Sequence, residues 1–326
     1  MSQLYPLKFK NIFKDKIWGG QKIKTVMRKD YSPLANCGEM WVVSGVEGNQ
    51  SIIENGFLAD NELNELVEVY MGDLVGEKNY KEYGNKFPVL IKFIDANDFL
   101  SIQVHPDDKL AKKRHGGNGK TEMWYVVDAS PGSELISGFS QKVDKDTYMR
   151  HLQDKTLKEI LNYEKVKTGD VFYIPAGRVH ALGPGILLAE VQQTSDITYR
   201  IYDWDRPGVD GRMRDLHTDL ALDAIDFEVH DDYKTTYDQE KNKTVDLVKS
   251  SHFTTNLLHF DESLQKDYSE LDSFVAYVCV QGSFMLDYFD DKITVNLGEA
   301  ILLPAVMEKV KLVPLKETKI LKIYIS

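Results

Sequence analysis

Apolar residues along this chain recur mainly at alternate positions, in short runs broken by Gly and Pro, which predicts β-strands. Runs at 37–44, 51–54, 87–94 and 99–105 show the pattern in the first third, and Ile17-Trp18-Gly19-Gly20 reads as a tight turn carrying an aromatic side chain. Two segments change period. In 61–75, Leu63, Leu66, Val67, Tyr70, Met71 and Leu74 fall at helical spacing, with Asp60 or Asn61 as the cap, and helical character extends across about 60–84. A second helical segment is expected over 144–163, with Tyr148, Leu152, Leu157, Ile160 and Leu161 as its apolar positions. From 247 to 325 the alternation is β throughout, which indicates a sandwich or jelly roll. The polar stretch 226–246 reads as an exposed connection. The expected organisation is therefore a mainly β chain with small helical insertions, divided into a larger part (1–235) and a smaller β domain (236–326).

The smaller part resembles a worn copy of the middle. Gly169-Asp170-Val171-Phe172-Tyr173-Ile174-Pro175-Ala176 matches Gly298-Glu299-Ala300-Ile301-Leu302-Leu303-Pro304-Ala305 at an offset of 129. The run from Glu122 lies on the run from Phe274 at an offset of 152, which would place Phe274 at the position of Glu122 and Lys309 at that of His180. The second copy would then carry none of the chemistry of the first.

That chemistry centres on 102–126. Gln103 and His105 are two apart on a predicted strand, so the amide and the imidazole share a face, and Lys120 and Glu122 share one in the same way. A hairpin through the Gly-rich turn Gly116-Gly117-Asn118-Gly119 would gather all four, and His180 is the best candidate for a second imidazole. Two imidazoles, a carboxylate and an amide oxygen suit a borderline divalent ion, zinc first, with iron, manganese or cobalt as alternatives. One weak amide donor leaves room for water or a substrate oxygen, as in catalytic sites. Lys120 would stand beside the ion, where a neighbouring cation and burial favour proton exchange near neutrality. Downstream, Gln192-Gln193-Thr194-Ser195-Asp196 interrupts an apolar run that ends on Arg200; the guanidinium suits a phosphate or a developing oxyanion, with Asp196 holding it or relaying protons. Arg206 is expected to be structural.

Composition narrows the field. With 326 residues, 42% hydrophobic and 28% charged, the chain has the profile of a soluble globular protein with sizeable cores. A formal charge of −11 disfavours nucleic acid and means that an anionic substrate needs a local basic cluster. The two cysteines, Cys37 and Cys279, stand in unrelated contexts and are expected to be buried thiols, which fits a cytoplasmic protein. Neither an export signal nor an apolar run long enough for a membrane span stands out.

Four motifs in order resemble the type I mannose-6-phosphate isomerases in their shorter bacterial form: Gln103-Val104-His105-Pro106, Lys120-Thr121-Glu122-Met123-Trp124-Tyr125, Pro175 to Leu182, and Glu190 to Arg200. Trp18-Gly19 and Gly38-Glu39-Met40-Trp41 are similar to that family as well. The resemblance implies a cupin jelly-roll barrel with one Zn2+ per chain held by Gln103, His105, Glu122 and His180, and a degenerate cupin-like domain at the C-terminus. It implies Arg200 as a catalytic residue, Lys120 and Asp196 in supporting or proton-moving roles, and Trp18 and Glu190 beside the sugar phosphate with Lys120 and Arg200. The expected reaction interconverts mannose 6-phosphate and fructose 6-phosphate by moving a proton between C1 and C2, with Lys120 as the base and Glu190 or Asp196 as rivals. An iron-dependent cupin oxygenase and a non-catalytic sugar-sensing cupin are the competing readings.

Overall fold

The computed structural model describes residues 4–208 and 211–326. Four antiparallel sheets form two barrels. The first barrel closes a six-stranded sheet, in the order Ile12–Lys14, Glu39–Val43, Val89–Ala96, Ile186–Gln193, Glu122–Ala129, Val171–Ile174, against a five-stranded sheet. That second sheet runs Tyr199–Tyr202, Ile102–Val104, His180–Leu182, Glu134–Phe139, Leu161–Lys165. The second barrel pairs Thr244–Lys249, Thr254–Phe260, Thr318–Tyr324, Val275–Gln281 and Ala300–Leu303 with the four strands Leu264–Asp267, Lys309–Pro314, Ser283–Tyr288 and Asp291–Asn296. Apart from the extra edge strand on each sheet of the first barrel, the strand order is the same in both, so the internal repeat is a repeat of topology.

Register corrects its details. Glu122 pairs with Ile174 and Val275 pairs with Leu303, so Val275, not Phe274, stands where Glu122 does. Lys309 is exposed whereas Val310 faces the second core, so Val310 takes the place expected for Lys309. A slip of one residue moves a side chain through the sheet, and sequence similarity alone cannot detect it. Both replacements are apolar, so the loss of donors in the second copy stands.

Alternation assigns two roles to each strand of the six-stranded sheet. Leu187, Ala189 and Val191 face outward into an apolar layer shared with Ala276, Val278, Leu321 and Ile323 of the second barrel. Their neighbours Ile186 and Leu188 face the interior of the first barrel beside Ile94, Trp124 and Leu182. A sheet buried on both faces needs near-continuous apolar runs. Polar interruptions on the inward parity, at Lys92, Glu122, Glu190 and Gln192, therefore call for a specific cause.

The first predicted helix runs Leu63–Val75 and begins at a Glu62/Glu65 capping box, slightly later than the Asp60 or Asn61 cap; a further helix, Glu77–Tyr83, follows. The second spans only Lys145–Gln153, capped by Asp144, and a short 3-10 turn leads into the strand Leu161–Lys165. A helix not expected from periodicity, Asp108–His115, starts at the Asp107 cap and ends at Gly116 in the left-handed conformation. The polar stretch after Asp226 is docked instead of free: Tyr233 Oη donates to the Phe139 carbonyl, Thr235 N to the Val171 carbonyl, and Lys234 pairs with Asp170 at 2.8 Å.

Candidate metal centre and its cleft

The donors expected from a hairpin meet by a different route. The strand Ile102–Val104 and the strand Glu122–Ala129 lie in different sheets, separated by the helix Asp108–His115, and their side chains meet across the barrel interior. Gln103 is paired directly with His180 and, on its other side, with Arg200. His105 follows the end of its short strand. Its Nε2 lies 3.3 Å from Glu122 Oε1, and His180 Nε2 lies 3.8 Å from Glu122 Oε2. Gln103 Nε2 stands 3.2 Å from His180 Nε2, and a half-turn of that amide presents its oxygen instead.

Second contacts fix both imidazoles. His105 Nδ1 is 2.9 Å from the Ile197 carbonyl and His180 Nδ1 is 2.8 Å from the Arg178 carbonyl. A carbonyl only accepts, so Nδ1 carries the proton in each ring and Nε2 presents its lone pair to the interior, the arrangement usual for a metal-bound histidine. Burial, reinforced by the Lys120 charge, lowers the His105 pKa to about 3, and burial lowers that of His180 as well. Burial opposes the charge of Glu122, but Lys120 and His105 outweigh it and hold the carboxyl well below its ordinary range. His105 Nε2 and Glu122 Oε2 are buried without a hydrogen-bond partner, a costly state that a cation between them would relieve. His105, Glu122 and His180 together form a buried group able to hold a metal ion, and the neutral-imidazole, anionic-carboxylate state is the one coordination requires.

Gln103 and His180 line a cleft of about 400 Å³ whose walls also carry Trp18, Lys120, Glu190, Asp196 and Arg200, so it borders every residue singled out from the sequence except His105 and Glu122 beneath it. Lys120 is 6% exposed, with Nζ 2.9 Å from Glu122 Oε1. Trp18 is buried among Ile94, Leu100 and Leu182. Arg200 donates to the Asp215 carbonyl at 2.9 Å, while its buried Nε has no acceptor. Asp196 is exposed at the mouth, and no ion pair joins it to Arg200 among the described residues, so of its two expected roles the hold on Arg200 is not seen. Arg206 is structural, bridging Asp98 and Asp203. A larger groove of about 840 Å³ adjoins at Ser195 and Asp196 but borders none of the donors.

Periodicity overlooked Lys14, Lys16, Lys92, Trp124 and Arg214, all of which line the cleft. Lys92 Nζ lies 2.9 Å from Glu190 Oε1, and the Trp124 indole N–H donates to Glu190 Oε2 at 2.8 Å. Burial works against the Lys92 charge, but Glu190, Glu39 and Glu122 raise its pKa above the usual lysine range. Burial likewise opposes ionisation of Glu39, yet Lys92, Lys16 and the Trp41 indole hold it at about 2. The cleft thus carries six cationic side chains against the carboxylates Glu39, Glu190 and Asp196, the local positive field that an anionic ligand needs on an acidic protein. A lysine inside the apolar run 87–94 was the one available signal for Lys92.

Fold and donor set together define a double-barrel protein with a metal-ready pocket in one barrel. Comparison with known proteins supplies the family. Residues 6–129 match the model for the catalytic domain of type I phosphomannose isomerase, a span that includes Gln103, His105, Lys120 and Glu122. The chain is 36% identical over 253 residues to mannose-6-phosphate isomerase ManA of Bacillus subtilis, covering 76% of this chain and 78% of that protein. It is 38% identical over 220 residues to the mannose-6-phosphate isomerase of Streptococcus mutans, covering 68% and 67%. The crystal structure of the mannose 6-phosphate isomerase from Bacillus subtilis superposes with a TM-score of 0.89 at 30% identity, over 98% of this chain and 99% of that one. The chain belongs to the type I phosphomannose isomerase family.

Proposed function

We propose that the protein is a metal-dependent aldose–ketose isomerase that interconverts mannose 6-phosphate and fructose 6-phosphate. The observation that carries this reading is the buried His105–Glu122–His180 group, with both Nδ1 protons held by carbonyls and both Nε2 atoms turned inward, at the floor of a cationic cleft. These three residues, with the Gln103 amide, would hold one divalent ion, zinc by the chemistry of its donors. A bound ion would supply Lewis acidity to the substrate, which would acidify the hydrogen to be moved.

The remaining steps belong to the side chains. Lys120 moves the proton between C1 and C2, being buried at the floor beside Glu122. Its rivals are less well placed: Glu190 is held by two partners, Lys92 and Trp124, against the single Glu122 contact of Lys120, and Asp196 is exposed at the mouth, where its part is limited to the outer shell of the substrate. Arg200 offers its unpartnered Nε to the negative charge that develops as the proton leaves. Trp18 and its apolar neighbours Ile94, Leu100 and Leu182 keep water away from the sugar carbons. Catalysis resides in residues 1–235, and residues 236–326 support it without donors of their own.

Purified protein mixed with mannose 6-phosphate is expected to yield fructose 6-phosphate with or without oxygen, to lose activity on chelation and to regain it with zinc. Tight sugar-phosphate binding without turnover in the metal-loaded protein would overturn the assignment.

A further inference from the structure

Four of the six cations in the cleft have a carboxylate of their own. Lys16 lies 3.4 Å from Glu39, Lys92 2.9 Å from Glu190, Lys120 2.9 Å from Glu122 and Arg214 2.5 Å from Asp203. Arg200 has no carboxylate in ion-pair contact among the described residues, but donates to the Asp215 carbonyl. Lys14 differs from all of these. It is half-buried, lines the same cleft, and pairs with no carboxylate among the described residues. Its register partner is Glu39, so its side chain shares the interior face with Glu39 and Trp41, and its ammonium stands 3.7 Å above the Trp41 ring. That ring fixes the direction of the amine without neutralising it. Of the two carboxylates whose charge reaches it, Glu39 is already engaged by Lys16 and by the Trp41 indole N–H at 2.7 Å, and Asp196 is exposed at the mouth. Burial, joined by the charges of Lys16 and Lys92, outweighs the opposing charges of Glu39 and Asp196 and lowers the Lys14 pKa, the expected cost of an ammonium with no carboxylate in contact.

We infer that Lys14 takes the phosphoryl group of the substrate and thereby selects phosphorylated over free sugar. The inference rests on the isomerase reading above and deepens it. A neutral sugar would leave the Lys14 charge uncompensated, whereas a phosphate dianion supplies the missing partner and gains a charge-assisted hydrogen bond. Lys14 lies on the edge strand of one sheet and Arg200 on the edge strand of the other, so each sheet contributes one of the two to the cleft lining. A substrate held by its phosphate at Lys14 places its other end toward the donors on the floor.

The test uses the metal-loaded, full-length protein with Lys14→Met and Lys14→Gln. Lys14 is partly exposed on an edge strand, and matching thermal melts confirm that both variants fold. Each is expected to raise KM for mannose 6-phosphate about tenfold to a hundredfold, the scale of one hydrogen bond to a charged group, with kcat within about threefold. Inorganic phosphate, titrated calorimetrically, should bind both variants weaker by a similar factor, and Lys14→Arg should restore most of the affinity. A KM within twofold of wild type in both variants, or a fall in kcat at unchanged KM, would overturn the assignment. Because phosphate binding is read without turnover, an inactive wild-type protein would refute the isomerase reading while the calorimetry still judges Lys14.

Discussion

Lys92 Nζ and Glu190 Oε1 meet at 2.9 Å in the wall of the first barrel, with side chains 8% and 3% exposed, one strand apart in direct register. Breaking such a pair leaves a buried charge without compensation. Glu190→Gln and Lys92→Met are each expected to cost about 3–5 kcal/mol of unfolding free energy, and the double variant Lys92→Met/Glu190→Gln less than the sum. Urea unfolding of the three variants gives the coupling; single losses under about 1 kcal/mol would show that the pair is not structural.

Arg200→Ala should lower kcat by about 100-fold or more, the scale for loss of one preorganised donor to developing charge. The fall should appear in kcat, because Lys14 is assigned the ground-state hold on the phosphate. A loss under tenfold would remove Arg200 from the chemical step.

Metal removal is a stability experiment as well. The donors are buried and the ion would bind only the folded chain, so free metal at about a thousandfold above its Kd stabilises by about 4 kcal/mol. Chelation should therefore lower Tm by several degrees, and His180→Ala should purify with little metal and a melting point close to that of the chelated wild type. Metal content in His180→Ala equal to that of the unchelated wild type, measured by elemental analysis, would exclude His180 as a ligand.

Glu299 ties the second barrel to the N-terminal segment, with Lys8 at 2.8 Å and Lys29 at 2.9 Å. Burial opposes its charge, but the two lysines and the Asn296 backbone N–H hold its pKa at about 2, below the ordinary value of 4.5. The folded pKa lies below the unfolded one, so the stabilisation is present above about pH 4.5 and is lost as pH falls toward 2. Glu299→Gln should cost about 1–3 kcal/mol at pH 7, less than the full shift implies because the group is partly solvated, and nearly nothing at pH 2. A pH-independent difference between the two denaturation curves would contradict this.

How far the sequence disclosed the site depended on what each signal measures. Alternation brought Gln103, Lys120 and Glu122 to interior faces, and His105 and His180 joined them, because parity survives whatever the strands pair with. Partner choice is not a local property, and so the expected hairpin proved to be a meeting across two sheets. The helix Asp108–His115 escaped notice because Ala111 is its only buried residue, leaving its Asp107 and Gly116 caps as the sole clues. Lys92 was overlooked because its partner lies almost a hundred residues away. Proximity along the chain offers Asp196 as a holder of Arg200 or a proton relay, whereas the carboxylate is exposed to solvent.

Site and support are carried by the same strands. Met123 and Tyr125 press outward between Glu122, Trp124 and Val126, and Val191 does so beside Glu190, into the apolar layer shared with the second barrel. A truncated chain ending near residue 235 would therefore bare a wide oily wall directly behind Glu122 and Glu190. Such a fragment should precipitate or self-associate, so a minimal version of this protein cannot be reached by simple cutting and would require repainting that wall with polar side chains first.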